Sequence, residues 1–462
     1  MVQFNMNEEE KRQLKKRIQK KLLNNMTYKY NGKYPTYIKP EELTEEQLYR
    51  LTESKTFCMM PWTHLHAFPD GRAYPCCLSL TTHPIGNFRD QTMQEVWNDK
   101  PLRDMRVKML SDQPTKECVK CYEQEDMGFF SMRNSSNKAF GHHITSVDTH
   151  TRDNGTYDEF KLRYYDVRFS NICNFKCRTC GPTFSSHWYK DEVKLYGPRS
   201  YPQITIAGRH KDDMWEQMQE HIPHIEQIYF AGGEPLIMEE HYRILRELVD
   251  RELFHVRLQY NTNFSELKFK GQDVLELWKL FDDVSIGASL DGSYARGEYI
   301  RKGQNWAETV ENRERMLKVC PKVDFYINST VSIYNVLHVP DFHREWVDLG
   351  LLKPQDWNIN ILQGPDYDRI NILPQYYKDL AKEKIISHIN WLEPQDKLTR
   401  ATNGYKSLLN FMSQDSGSTV TETELSGLLQ EFFKRNYVLD KLRDEDFYAT
   451  FPEYADLKKY AR

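Results

Sequence analysis

The sequence predicts an α/β fold: a partial (β/α)6 barrel of the TIM type, with a small cysteine-rich module before it and a helical region after it. Three observations carry this. Between residues 157 and 370, short runs rich in β-branched and aromatic residues alternate with amphipathic helical stretches, the pattern of βα units on a parallel sheet. Eight of the nine cysteines fall between Cys58 and Cys180. From Ile385 onward the chain reads as mostly helical, with a polar break at Ser413–Ser418.

In chain order, residues 1–50 form a charged extension. Within it, residues 8–24 read as a helix, with Leu14, Ile18 and Leu22 at four-residue spacing and seven Lys or Arg between Lys11 and Lys21. Residues 51–140 show few periodic helices and five cysteines, as expected of a metal-organised module. Gly141–Thr156 is polar, without an apolar run, and reads as a linker. Candidate strands follow at Tyr164–Phe169, Gln227–Ala231, Val256–Tyr260, Val284–Leu290, Val323–Thr330 and Trp357–Leu362. Helical stretches such as Glu239–Glu252 and Trp306–Val319 separate them. Six units support a partial barrel and do not support closure to eight. Residues 371–462 form the helical C-terminal region.

Composition narrows the function classes. The chain is 39% hydrophobic and 28% charged, which fits a folded globular protein and not a disordered one. Its 63 Lys and Arg against 67 Asp and Glu give a net charge of −4, so no bulk positive field recruits nucleic acid or an anionic membrane. No segment reaches the ~18 to 20 apolar residues needed to span a bilayer. The N-terminus lacks a secretory apolar region, so a cytoplasmic location is expected. In a reducing compartment, clustered cysteines read as metal binding or catalysis.

The first strand runs into SNICNFKCRTCGP, placing Cys173, Cys177 and Cys180 as C-x3-C-x2-C in one loop. That loop lies at the C-terminal end of a strand, where parallel βα barrels place their chemistry. Three thiolates can hold three irons of a [4Fe–4S] cluster and leave the fourth open. A zinc site completed by His187 is the alternative. The next strand ends in Gly232-Gly233-Glu234-Pro235, where two glycines let backbone approach a ligand and Glu234 offers an acceptor for an ammonium group.

Together these residues resemble the radical S-adenosylmethionine (radical SAM) superfamily. The resemblance implies that the three cysteines bind [4Fe–4S] and that the open iron chelates the amino and carboxylate groups of SAM, with GGEP contacting the amino group. It also implies that one electron cleaves SAM to methionine and a 5′-deoxyadenosyl radical, which takes a hydrogen from substrate. Ser289, in the Ser289-Leu290-Asp291-Gly292 run, resembles the family's SAM-contacting serine. Arg301, twelve residues later, resembles the arginine that holds the methionine carboxylate in the sulfatase-maturating branch. Asn261 resembles the polar residue near the SAM ribose. One departure is Thr179, where the family usually has an aromatic residue against the adenine; Phe175 or Phe184 would have to substitute.

The second constellation is Cys58, Cys76, Cys118 and Cys121. Twelve residues separate Cys58 from Gly71 and four separate Gly71 from Cys76. Four thiolates can saturate one [4Fe–4S] cluster, and by spacing alone a zinc site fits equally. The run resembles a SPASM or twitch module, which implies an auxiliary [4Fe–4S] cluster. Such modules usually follow the barrel, whereas this one precedes it. Cys77 points elsewhere if the segment is extended, and Cys320 reads as a small core residue.

The resemblance implies an enzyme that modifies a peptide or protein side chain by oxidation, crosslinking or epimerisation, fed by a flavodoxin- or ferredoxin-type donor. Alternatives are a small molecule such as a sugar or aminoglycoside, an RNA using the basic N-terminal run, and, last, a non-catalytic iron–sulfur binding module. Nucleic acid and membrane are not expected partners. No residue can be named as general base or radical quencher.

Overall fold

The computed structural model of the chain describes residues 42–126, 128, 130–414 and 422–460, together with Gln13. The basic helix expected over 8–24 thus lies outside the described residues, apart from that one position.

One sheet organises the fold. In chain order the strands are β1 (His64–Ala67), β2 (Arg72–Tyr74), β3 (Gly86–Asn87), β4 (Tyr164–Val167), β5 (Gln227–Phe230), β6 (Arg257–Thr262), β7 (Lys268–Phe269), β8 (Gln272–Asp273), β9 (Val284–Ala288), β10 (Asp324–Val331) and β11 (Trp357–Ile361). The main sheet has the order β11-β10-β9-β6-β5-β4-β1-β2-β3, and β7 and β8 form a separate hairpin. Strands β4, β5, β6, β9, β10 and β11 are parallel neighbours in chain order, so all six strands read from the sequence are present. The architecture is the partial (β/α)6 barrel, open among the described residues.

The cysteine-rich module is built into this sheet. Its strand β1 pairs in parallel with β4, from His64 opposite Tyr164 to Ala67 opposite Val167, and β2 and β3 extend the sheet antiparallel. Nothing in the sequence points to this, because a four-residue strand between cysteines is too short to show a period.

The strands alternate in burial, clearly so in β5, β6 and β10. Buried side chains face the helices: Phe230 stacks on Tyr260 at 4.8 Å, Tyr260 meets Trp278 edge-on at 5.1 Å, and Phe325 stacks on Trp346 at 6.3 Å. The helices answer with matching faces. In Glu239–Asp250 the buried residues are His241, Tyr242, Ile244, Leu245 and Leu248, one side of a 3.6-residue period. Helix Trp306–Val319 starts where the Asn305 side chain accepts from the Glu308 amide.

The segment read as a linker is packed structure. Gly141–His143 is a 3-10 turn and Ile144–His150 an α-helix, with Ile144 and Val147 fully buried. Two apolar residues one turn apart suffice, and they were hidden in a polar run. Gly155 closes the following turn at φ +80, where a Cβ would lie 2.1 Å from the Arg103 carbonyl oxygen.

The C-terminal region folds back over the barrel. Helix Glu422–Arg443 and the segments Phe447–Thr450 and Pro452–Tyr460 bring Phe432, Phe447 and Phe451 against Tyr299 and Tyr334, with Tyr454 stacked on Phe447. Glu453 ties this cluster down by accepting two bonds from Arg296, at 2.7 and 3.1 Å, and pairing with His338 at 2.5 Å. Burial raises its pKa, but the bonds from His338 and Arg296 outweigh that and hold it at about 2, below the ordinary 4.5.

A folded-state value below the unfolded one means that Glu453 stabilises the fold above the ordinary glutamate range and loses this contribution as pH falls from about 4.5 toward 2. Thermal unfolding of wild type and Glu453→Gln should therefore differ most at neutral pH, and the gap should close on acidification. A gap independent of pH would refute the assignment.

Candidate active site

The loop after β4 is pinned before its first cysteine. Asn171 is buried and uses its whole side chain: its amide donates to the Pro182 and Gln203 carbonyls at 2.8 and 3.0 Å, and its oxygen accepts the Thr205 amide at 2.9 Å. The far side of the loop pairs with the chain around Arg301, since the Lys176 amide donates to Lys302 O at 2.8 Å and the Arg178 amide to Ile300 O at 2.7 Å. The Trp188 indole donates to the Cys177 carbonyl at 2.7 Å.

Cys173, Cys177 and Cys180 are half-buried. Burial raises all three thiols, and the neighbouring cysteines push Cys173 and Cys180 further, the latter to about 12. For Cys177 the Arg301 guanidinium opposes the rise. An all-sulfur set of this kind suits a soft metal centre, whose positive charge is what would hold the thiols ionised.

Arg301 lies beside this set. Its Nη1 donates to the Cys177 sulfur at 3.8 Å, and its Nε pairs with Asp291 at 2.7 Å. Burial lowers the guanidinium pKa, but Asp291 and Cys177 more than restore it. Asp291, in the segment after β9, accepts the Thr330 amide at 2.7 Å and so carries Arg301 on a fixed support. Ser289 is anchored through its amide to Thr262 O at 2.7 Å.

The glycines of Gly232–Pro235 are required by contact. A Cβ on Gly233 would lie 1.9 Å from the Ile172 carbonyl oxygen, and one on Gly232, at φ +109, would lie 2.8 Å from the Arg168 Cβ. The end of β5 is thereby pressed onto the start of the cysteine loop. Glu234 differs from the sequence expectation of a free acceptor. It is buried, and its oxygens accept from the Leu236 amide at 3.0 Å, the Thr262 hydroxyl at 2.7 Å and the Asn263 amide at 2.7 Å. Burial raises its pKa to about 7 against these donors.

Asn261 belongs to a polar row on the inner face of the sheet. Its amide donates to the Tyr229 hydroxyl at 2.5 Å, its oxygen accepts from Asn328 at 3.3 Å, and Asn358 donates to Asn328 at 2.8 Å. The row takes side chains from β5, β6, β10 and β11 and passes over β9 at Gly287, where a Cβ would lie 2.6 Å from Asn261 Oδ1. Arg168 stands past the end of β4, its guanidinium 5.4 Å from the Phe68 ring and 5.9 Å from the Phe184 ring. Of the two aromatic residues suggested for the adenine, Phe175 is buried under Gly303, while Phe184 is half-buried here.

The second sulfur set also converges. Burial pushes Cys58 to about 12 and Cys118 to about 11, and each is raised further by other members of the set. Cys76 is raised by burial, then by Cys77, Cys118, Cys58 and Cys121. Cys77 reaches about 12 by burial, with Asp166 next and Arg168 opposing, so its surroundings differ from those of Cys76. Arg133 braces the set, donating to Ser54 O and Phe57 O at 2.9 Å while paired with Glu125.

The C-terminal helix supplies what the sequence did not reveal. Arg178, between Cys177 and Cys180, is buried under it. Its guanidinium donates to Asn436 at 2.6 Å and to Asp440 and Glu445 at 2.5 Å, and lies 3.8 Å over the Tyr299 ring. Arg443 donates to Asp191 at 2.9 Å, and Asp191 also binds Lys176 at 3.1 Å.

Comparison with known proteins agrees with this geometry. Residues 167–347 match the family model for the radical SAM superfamily, and residues 58–122 match SPASM, an iron–sulfur cluster-binding domain. Residues 167–347 are thus a radical SAM domain, with a SPASM module ahead of the barrel. These domains imply SAM and iron–sulfur clusters as cofactors. A 7,8-dihydro-6-hydroxymethylpterin dimethyltransferase of Methanocaldococcus jannaschii is 23% identical over 224 residues, 48% of this chain and 38% of that protein. Among solved structures, anSMEcpe with bound AdoMet and Cp18Cys peptide shares 17% identity over 49% of this chain and 58% of its own, with a TM-score of 0.32. Streptococcus suis SuiB bound to the precursor peptide SuiA shares 13% over 63% and 64%, also at 0.32. The chain thus spans under two thirds of each of these relatives. No helix among the described residues is long and apolar enough to cross a membrane.

Replacing Arg178 by Met leaves Asp440 and Glu445 without their cation in a largely buried place. This should cost about 3–5 kcal/mol in denaturant unfolding. A loss below about 1 kcal/mol, the level of an exposed pair, would show that the clamp contributes little.

Proposed function

We propose that the chain is a radical SAM enzyme that oxidises, crosslinks or epimerises a peptide or protein side chain. In this reading Cys173, Cys177 and Cys180 hold a [4Fe–4S] cluster with an open iron, and Cys58, Cys76, Cys118 and Cys121 hold an auxiliary [4Fe–4S] cluster. The observation that carries it is the presence of two separate thiol sets, Cys173, Cys177 and Cys180 in the loop after β4 and Cys58, Cys76, Cys118 and Cys121 in the module whose strand β1 pairs with β4. When bound, the first cluster and SAM supply the electron and the hydrogen-abstracting radical.

The chain's own residues then have definable tasks. Arg301, fixed by Asp291, offers a guanidinium to the carboxylate of SAM. Glu234 is committed to Leu236, Thr262 and Asn263, so it holds the Gly232–Glu234 backbone in place, and the backbone is what meets the amino group. Ser289, and Asn261 in the polar row, line the approach from the sheet. Phe184 is the aromatic residue left to pack the adenine. Arg178 and its C-terminal partners hold the cysteine loop. Electrons come from a flavodoxin- or ferredoxin-type donor.

A small-molecule substrate is the second reading, favoured by the similarity to the pterin dimethyltransferase. The two differ in which compound is altered and in the mass change, loss of hydrogen or a crosslink against gain of methyl.

Anaerobically reconstituted protein should hold about eight irons, four per cluster. Cys118→Ala should fall to about four, whereas Cys77→Ala should keep all eight. With SAM and dithionite the wild type should release 5′-deoxyadenosine, and Cys177→Ala should not. Iron-loaded wild type that releases none, with or without candidate peptides, would refute the enzymatic reading.

A further inference from the structure

The segment that joins the module to the barrel carries a cluster that the radical SAM chemistry does not use. His142 and His143 stand in the 3-10 turn Gly141–His143, and Glu226 immediately precedes β5. His142 Nε2 lies 3.0 Å from Glu226 Oε2, and His143 Nε2 lies 2.5 Å from Oε1 of the same carboxylate. Each residue offers one ligand atom within 4.8 Å of the others'. Adjacent side chains leave a 3-10 turn about 120° apart, so the turn alone does not bring these rings together. Their centroids are nevertheless 4.0 Å apart. Glu226 is fixed through its backbone: its amide donates to Arg163 O at 2.8 Å, and its carbonyl accepts the Arg257 amide at 2.9 Å. The three side chains are 17%, 19% and 11% exposed, which leaves water a way in.

Two charged imidazoles on one carboxylate are disfavoured here, since burial, and then His142 beside it, lower the His143 pKa against the pull of Glu226. Burial raises the Glu226 pKa, but the bonds from the two histidines outweigh it and hold the carboxyl at about 2, below the ordinary 4.5. His142 Nδ1 is buried with no hydrogen-bond partner among the described residues. Nothing on that side therefore fixes its tautomer, and the ring can keep its hydrogen there and present the Nε2 lone pair. Two imidazole nitrogens and one carboxylate form a zinc donor set, with a fourth position for water. We propose that His142, His143 and Glu226 bind one divalent d-block cation of the zinc class, which staples the connecting segment to the barrel. Bonds of about 2.0–2.1 Å in a tetrahedron set ligand atoms about 3.3 Å apart. The observed 3.0 and 2.5 Å are within an ångström of that, so side-chain adjustment alone suffices. Imidazole as the majority ligand favours such an ion over a hard one. Glu226 lies where β5 begins, the edge of the sheet opposite the Cys173 loop, and there a barrel builds stability and not chemistry.

The test does not depend on activity. Reconstituted holoenzyme is equilibrated anaerobically with zinc chloride, desalted, and analysed for zinc, iron and sulfide. One zinc per chain should remain beside the iron. His142→Gln, His143→Gln and Glu226→Gln should each lower zinc affinity at least about tenfold, the loss that removing an outer partner alone produces, and should leave iron and sulfide unchanged. Two measurements on the wild type keep the test open if the variants fail to fold. Zinc K-edge absorption should show a first shell of nitrogen and oxygen at about 2.0–2.1 Å. Zinc should also slow amide hydrogen exchange across residues 141–150, the turn and the helix that follows it. No retained zinc, zinc retained in full by the folded variants, or exchange indifferent to zinc would overturn the site. A shell of sulfur would place the zinc on the cysteines and overturn it too. Failure of the iron–sulfur reading would show instead as missing iron in wild type and variants alike.

Discussion

Four residues of β1 lie in parallel register with four of β4, and the rest of the site depends on that pairing. Parallel strands end on the same edge of a sheet. The chain leaving β1 turns at Gly71, runs back through β2 and reaches Cys76, while the chain leaving β4 reaches Cys173 within six residues. Because β2 runs antiparallel to β1, Cys76 returns to the edge where β1 and β4 begin, the edge from which Cys58 also enters, whereas Cys173 lies beyond the edge where β4 ends; the ladder sets the two sulfur sets toward opposite ends of one strand pair. This answers the unusual order of the modules. The backbone ladder between β1 and β4 fixes the relation between module and barrel. Gly71 makes the turn feasible: it sits at φ +87, and a Cβ there would lie 2.8 Å from the Ala207 carbonyl oxygen.

A second constraint acts from the other end of the chain. A loop carrying three cysteines has little apolar side chain of its own to bury, so its rigidity must come from neighbours. Arg178 provides the attachment, and Asn436, Asp440 and Glu445 receive it. A buried ion cluster of this kind contributes little net stability compared with apolar packing, because desolvation opposes the attraction. It does dictate geometry, since a planar guanidinium satisfied by three partners and stacked on Tyr299 has few alternatives. The aromatic cluster around Phe447 supplies the apolar burial that the ion cluster lacks.

What the sequence made legible follows from length scales. All six barrel strands were visible because β-rich runs separated by long amphipathic helices leave a pattern over tens of residues. Cys173, Cys177 and Cys180 were visible because local spacing alone places three sulfurs in one loop. The parallel pairing of β1, the helix at Ile144–His150 and the receptor for Arg178 were not. Each depends on a partner about 100 or more residues away in sequence, or on two apolar positions in a polar stretch. Glu234 shows a subtler limit. Its presence was readable, but the direction of its carboxylate is set by donors on β6 and its exit, Thr262 and Asn263.

The inner face of the sheet bears on substrate chemistry. Parallel strands covered on both faces read as continuous apolar runs, but β5, β6 and β10 alternate, and their inward positions include Tyr229, Asn261 and Asn328. A packed barrel interior would fill these positions with Val, Ile and Leu. Three carboxamides, on β6, β10 and β11, and the Tyr229 phenol on β5 are instead joined edge to edge as a polar wall. Arg168 stands past the end of β4, flanked by Phe68 from the module and Phe184 from the cysteine loop. The inner face is thus polar and hydrogen-bonded where a closed barrel would be apolar.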